Sequence, residues 1–305
     1  MARPLSPEHH RRRRTLPEAG HLEQLTLRDG WRLRAMSWPA GPKGMILFIN
    51  GRGDFIEKYA ETYHDWLDAG FGVATFDWRG QGGSGRLGRT PGHGHVEDMT
   101  QLVDDLGEVF SWAMRLAGGP CFAVAHSMGG HLLLRHLAAA PETARRAVLL
   151  SPMIGISAPP FGPWLAARLA RAMVALGRGQ QWVFGAGPYG TGGSARQALL
   201  TTDAGRYADE RWWVAQHPEL ALGGITWGWL KAAFASMAKA RPVPVSTLVL
   251  MAESEALVDN AATRRMFPEA RMVQGAAHEL LRERPAIRRQ VLAMIEAFLV
   301  DDASL

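Results

Sequence analysis

The feature that most constrains this chain is a unit repeated through its first half. A short, continuously apolar run leads into a loop of small residues, and a helical segment follows. Gly44-Met45-Ile46-Leu47-Phe48-Ile49 ends in Asn50-Gly51-Arg52-Gly53-Asp54, and residues 58–68 then read as a helix closed by Gly70. Residues 71–76 end at Asp77 and in Arg79-Gly80-Gln81-Gly82-Gly83-Ser84-Gly85, ahead of helical periodicity over 98–116. Residues 121–125 lead into a helix over 128–139, and 147–150 end at Ser151-Pro152. Runs that are apolar at every position suit strands buried on both faces. Such strands alternating with helices predict a parallel sheet covered on both sides. Sheets of this kind carry their sites at the carboxyl ends of the strands, where these loops fall. Upstream, alternating stretches at 22–28 and 31–38 flank Asp29-Gly30, which predicts a hairpin.

After Pro152 the character changes. Gly, Pro and Trp become frequent (Pro159, Pro160, Trp164, Trp182, Trp212, Trp213, Trp227, Trp229), with helical pieces at 164–175 and 226–238. Sheet-like runs resume at 246–251 and 270–273, and a terminal helix covers 285–299. The expected division is a core of 20–152 and 242–305, a cap inserted over 153–241, and a basic, disordered tail over 1–19. That tail holds His9, His10 and Arg11 to Arg14, but no apolar stretch follows, so neither a secretory nor a twin-arginine signal is expected. No window reaches the ~20 apolar residues that span a bilayer. A cytoplasmic protein is expected, with the tail able to touch the inner membrane face. The formal charge of +5 favours anionic partners: nucleic acid, anionic lipid or acidic substrates. The one cysteine, Cys121, sits in an apolar run and reads as core; an intramolecular disulfide and a cysteine-built zinc site are excluded by count.

Ala125-His126-Ser127-Met128-Gly129 lies between a strand and a helix, the context of a nucleophile elbow. The turn is so sharp that residues two before and two after the serine must be small; Ala125 and Gly129 satisfy this. A serine at its free pKa needs a base, and in this arrangement the order along the chain is Ser, acid, His. His278, in the loop after the last strand, is the candidate base. His131, His136 and His217 read as core or surface residues, and His126, adjacent to the elbow, is expected to point away from the serine hydroxyl. Three carboxylates follow the preceding strand: Glu253, Glu255 and Asp259. Spacing from the small residue at the strand end selects Glu255, with Asp259 second and Glu253 third. The oxyanion donors are expected to be the backbone N–H groups of Met128 and Arg52. The Arg52 side chain reads as a surface cation or as a contact for an anionic head group. Gly80, Gly82 and Gly85 spell a GxGxxG pattern, but the segment continues through further Gly and Pro instead of opening a helix, which argues against nucleotide binding. Asp77 and Arg79 read as braces of that loop.

Taken in order, Asn50-Gly51-Arg52-Gly53, Phe76-Asp77-Trp78-Arg79-Gly80-Gln81-Gly82, Gly94-His95-Val96, Val103-Asp104-Asp105-Leu106, residues 125–130, Ser151-Pro152-Met153, Val258-Asp259-Asn260 and Ala277-His278-Glu279 resemble the bacterial lysophospholipases related to monoacylglycerol lipases, within the α/β-hydrolase superfamily. The resemblance implies a mostly parallel sheet of about eight strands with a cap after the sixth. It also implies hydrolysis of single-chain glycerolipid esters with no cofactor or metal, and no nucleic-acid partner. Many relatives carry His-Gly where Asn50-Gly51 stands, and Asp where Glu255 stands. Two other readings stay open. One is a proline-iminopeptidase-like peptidase holding a substrate amine on Asp203, Asp209, Glu210 or Glu219. The other is a non-catalytic ligand-binding protein on the same scaffold.

Overall fold

The computed structural model describes residues 7–301 except Pro91, Phe161 and Gly192. Eight strands form one sheet: β1 (His21–Thr26), β2 (Arg32–Trp38), β3 (Met45–Ile49), β4 (Gly72–Phe76), β5 (Cys121–His126), β6 (Ala144–Leu150), β7 (Thr247–Ala252) and β8 (Arg271–Val273). Their order is β1-β2-β4-β3-β5-β6-β7-β8. β1 and β2 form the expected antiparallel hairpin and β2 pairs antiparallel with β4; every later pairing is parallel.

Successive residues of a strand point to opposite faces, and here that alternation builds two cores. Leu47, Ile49, Ala123, Ala125 and Leu149 enter one apolar cluster, whereas Ile46, Phe48, Phe122, Val124, Val148 and Leu150 enter the other. Helices cover both faces: α2 (Ala60–Asp68) and α10 (Pro285–Val300) on the second cluster, α3 (Met99–Ala117) and α4 (Met128–Leu137) on the first. Asp98 caps α3 by accepting from Thr100 N, and Gly118 ends it in the left-handed conformation. Between β6 and β7 lie α5 (Gly162–Ala175), α6 (Gly193–Leu200), α7 (Ala204–Gln216) and α8 (Trp227–Met237). A short α9 (Asn260–Met266) joins β7 to β8.

The N-terminal arm differs from expectation. Residues 1–6 lie outside the described residues, but Pro7–Arg13 forms a helix, α1, packed on α2. Arg12 pairs with Asp65 (3.2 Å) and Asp68 (2.6 Å), Arg13 and Arg14 both bind Asp209 of α7, and Trp213 Nε1 donates to Arg13 O at 3.1 Å. A run of arginines reads as solvated when its partners are distant in sequence. These partners come from α2 and from the insertion, and they order the arm.

Candidate active site

Ser127 sits where β5 ends and α4 begins, with φ 52° and ψ −117°. A non-glycine residue held there is strained and must be fixed by its surroundings. Ser127 N donates to Leu150 O (3.0 Å), and Ser127 O accepts from Met153 N (3.0 Å) and His131 N (3.2 Å). A Cβ at Gly129 would meet Asn50 O at 2.4 Å and Ile49 O at 2.5 Å, so the strand-end backbone passes too close for any side chain. Met128 is the first residue of α4, where N–H groups have no intrahelical partner.

The loop after β3 abuts this turn: a Cβ at Gly51 would lie 3.2 Å from Ser127 Cβ. Gly51 N donates to Asp54 Oδ2 (2.8 Å) and Gly53 N to Gln81 Oε1 (2.6 Å), which fixes the N–H of Arg52 between them. Asn50, fully buried, donates through Nδ2 to Phe76 O and so ties the loop's root to β4.

His278 follows β8. Its Nε2 lies 2.9 Å from Ser127 Oγ and its Nδ1 2.7 Å from Glu255 Oε2. The other Glu255 oxygen accepts from Leu257 N (2.8 Å) and Val258 N (3.2 Å). Burial works to raise this carboxyl, but His278 and the two N–H groups outweigh it and hold it below the usual range. Its rivals have other partners. Asp259 caps α9 through Ala261 N and Ala262 N, and Glu253 accepts from Gly275 N. The structure therefore brings Ser127, His278 and Glu255 together and leaves Asp259 and Glu253 apart from them.

A family model described as serine aminopeptidase, S33 (Hydrolase_4) matches residues 40–285. A probable lysophospholipase L2 of Haemophilus influenzae is 31% identical over 274 residues, covering 84% of this chain and 83% of its own length. Lysophospholipase L2 of Escherichia coli K12 is 32% identical over 282 residues, with 83% and 79% covered. The chain belongs to the lysophospholipase-like α/β-hydrolases. It is a serine hydrolase. A soluble variant of monoglyceride lipase from Saccharomyces cerevisiae superposes with a TM-score of 0.71 at 18% identity, covering 93% of this chain and 95% of that one. Monoacylglycerol lipase of Paleococcus ferrophilus gives 0.67 at 21%, covering 88% and 98%. At such identities the likeness is one of fold.

In this hydrolase Ser127 opens onto a cavity of about 350 Å³, within the range of small-molecule sites. Much of its wall comes from the insertion and the segments joining it: Met153, Ile156, Leu199, Leu200, Ile225 and Trp229, with Leu257 and Val258 opposite. Beside it lies a buried ionic cluster that pattern reading did not find. Lys58 Nζ is 2.6 Å from Asp54, 2.6 Å from Glu279 and 3.0 Å from Glu210; Arg282 pairs with Glu210 and Glu279, and Arg196 with Glu210. His126 was also missed as a site neighbour. Its ring is 4.8 Å from that of His278, and burial with His278 beside it lowers its pKa to about 4, so it packs there as a neutral ring.

The remaining residues singled out in the sequence have the following surroundings. Asp77 accepts from Ile56 N, Gly83 N and Arg34, and Arg79 makes a two-pronged pair with Asp105. The glycine pattern at 80–85 runs through loop to α3 and opens no helix directly. His131 and His136 are buried against Ser236 and Thr143. Burial pushes the Cys121 thiol up to about 11. Among the described residues no group of three His, Cys, Asp or Glu is arranged for a metal, and no helix is long and apolar enough to cross a membrane.

Proposed function

We propose that the enzyme hydrolyses the acyl ester of single-chain glycerolipids, lysophospholipids or monoacylglycerols, through Ser127, His278 and Glu255. His278 Nε2 takes the proton of Ser127 Oγ as the oxygen attacks the acyl carbonyl. The developing oxyanion is received by the N–H groups of Met128 and Arg52. Glu255 holds the imidazole in the tautomer that presents Nε2 as acceptor and stabilises the imidazolium. His278 then protonates the departing glycerol oxygen, and later activates the water that releases the fatty acid from the acyl-enzyme.

The carrying observation is the unbroken hydrogen-bond chain from Glu255 through His278 to Ser127, at 2.7 and 2.9 Å, opening on a cavity with an apolar wall and a charged one. The relatives named lysophospholipase support the substrate class. Peripheral contact with an anionic membrane belongs to the same reading: Trp164, Leu165, Leu176 and Phe184 are exposed on the insertion, with Arg168 over the Trp164 ring.

The family model's description favours a peptidase, which needs carboxylates free to hold a substrate amine. The candidates are otherwise engaged. Asp203 caps α7 and pairs with Arg206, Asp209 binds Arg13 and Arg14, Glu210 sits among Lys58, Arg196 and Arg282, and Glu219 is exposed beside His217. Ser127→Ala decides the chemistry. Turnover of p-nitrophenyl esters and lysophospholipids should fall on the order of 10⁵- to 10⁶-fold, with labelling by a fluorophosphonate lost and the melting temperature kept. Undiminished ester turnover, or faster turnover of aminoacyl-naphthylamides than of lipid esters by the native enzyme, would refute the proposal.

A further inference from the structure

We infer that the Arg52 side chain is an anion receptor in the Ser127 cavity, fitted to the phosphate of a phosphorylated glycerol head group. This deepens the glycerolipid reading and rests on it for the ester, though not for the anion.

The argument begins with charge. In the buried cluster beside the cavity, the three carboxylates Asp54, Glu210 and Glu279 are met by three cations, Lys58, Arg282 and Arg196. Arg52 lines the same cavity and is the cation in excess. Among the described residues no carboxylate reaches it as an ion pair. Its fixed contacts are with neutral groups: Nη2 donates to Gly223 O at 2.5 Å, and the guanidinium lies 5.6 Å over the Trp229 ring. Its Nε is buried with no hydrogen-bond partner.

The guanidinium has nevertheless been given a place. A Cβ at Gly94 would come within 1.8 Å of Nη2, so the missing side chain of residue 94 leaves the room that the guanidinium occupies. Burial and the neighbouring Arg196 lower its pKa to about 10, and the attraction of Asp54 offsets them only in part. An unpaired charge withdrawn from water is costly until a counter-ion arrives. The planar fork of arginine matches the oxygens of a phosphate. The backbone of the same residue belongs to the loop that abuts Ser127, so an anion held here sits within one small substrate's reach of the reacting serine. A fatty-acid carboxylate is the competing anion, and the test separates it.

The full-length enzyme and its Arg52→Gln and Arg52→Lys variants are compared on 1-palmitoyl lysophosphatidylglycerol and 1-monopalmitoylglycerol in the same detergent micelles. Glycerol 3-phosphate and decanoate are each titrated as inhibitors of p-nitrophenyl butyrate turnover. In R52Q the preference for the phosphorylated lipid should fall by roughly 10- to 100-fold, chiefly through KM. The inhibition constant of glycerol 3-phosphate should rise by a similar factor, and R52K should recover part of both. Parallel loss on the two lipids with an unchanged inhibition constant overturns the proposal, as does Arg52-dependent inhibition by decanoate alone. If neither lipid is cleaved but glycerol 3-phosphate inhibits through Arg52, the anion site stands and the glycerolipid reading falls. Cleavage of both lipids with no Arg52-dependent difference gives the reverse.

Discussion

The loops at the edge of the sheet and the insertion above them are built by different physics. At the sheet edge Ser127 and Glu255 are held by backbone contacts, and His278 is held between their side chains. Ser127 is clamped through Leu150, Met153 and His131, and Glu255 through the N–H groups of Leu257 and Val258. In the insertion, the side chains that reach the cavity are mostly apolar, and α7 is anchored by buried charges as well as by Trp213 and Val214: Arg206, Asp209 and Glu210 are all buried. The first region fixes geometry, which is what catalysis by preorganised groups requires. The second fixes shape and charge, which decide what binds. Substitutions of the reacting groups at the sheet edge should therefore act on kcat, and those of the side chains that line the cavity on KM and on selectivity.

The largest effect that could break this division is at Glu255. Glu255→Gln keeps the length of the side chain but removes the charge that stabilises the imidazolium and favours the productive tautomer. It should lower kcat by roughly 10³- to 10⁴-fold with little change in KM. Asp259→Asn, in the same loop, should leave kcat within about threefold and cost at most about 1 kcal/mol as a weakened cap of α9. Steady-state kinetics on one ester with both variants reads the contrast, and a larger kcat loss at Asp259 would reverse the assignment.

Next in size is Lys58, which couples the two regions. It joins Asp54 and Glu279 of the core to Glu210 of α7. Lys58→Met leaves three buried carboxylates facing two cations, and should destabilise the fold by about 3–5 kcal/mol, read from the urea midpoint. The same cluster predicts acid sensitivity. Asp54, Glu210 and Glu279 are each held near a pKa of about 2, below ordinary values of 3.8 for Asp and 4.5 for Glu. Burial alone would raise them; Lys58 reverses it at all three, joined by arginines at Glu210 and Glu279. Because the folded values lie below the unfolded ones, this stability is complete above about pH 5 and is lost as pH falls towards 2. Thermal melts from pH 6 to pH 3 should fall steeply in the native protein and less steeply in Glu210→Gln; equal slopes would remove the cluster from the account.

The two regions were unequally legible in the sequence, for a physical reason. β3 is apolar at every position, and β4 and β5 at all but Thr75 and His126, because both faces are covered, and so continuous a run cannot be read as a surface strand. Ser127 and His278 follow from strand ends in a fixed order, and Glu255 from its spacing after Ala252. By contrast, α6 and α7 escaped notice. Reading by pattern assumes that charged positions face water, and Arg206, Asp209 and Glu210 do the opposite. The same assumption assigned the arginines at 12–14 to a loose tail. Whether a charge is buried depends on a counter-charge far along the chain, and that pairing exists only once the sheet has brought Lys58, Glu279 and α7 together.

The smallest effect tests the insertion's share alone. Leu199 of α6 lines the cavity yet is 38% exposed, so a larger side chain there can be accommodated without repacking a core. Leu199→Trp should occupy room used by the distal carbons of an acyl chain. Each methylene lost from an apolar pocket is worth roughly 1 kcal/mol or a little less. Exclusion of two of them should lower kcat/KM for a palmitoyl ester about tenfold relative to a butyryl ester, with the change in KM. The ratio across a series of p-nitrophenyl esters from four to sixteen carbons is the measurement. A uniform loss along the series would mean that α6 supports the reacting groups themselves, and the separation between a catalytic edge and a selective insertion would have to be redrawn at that helix.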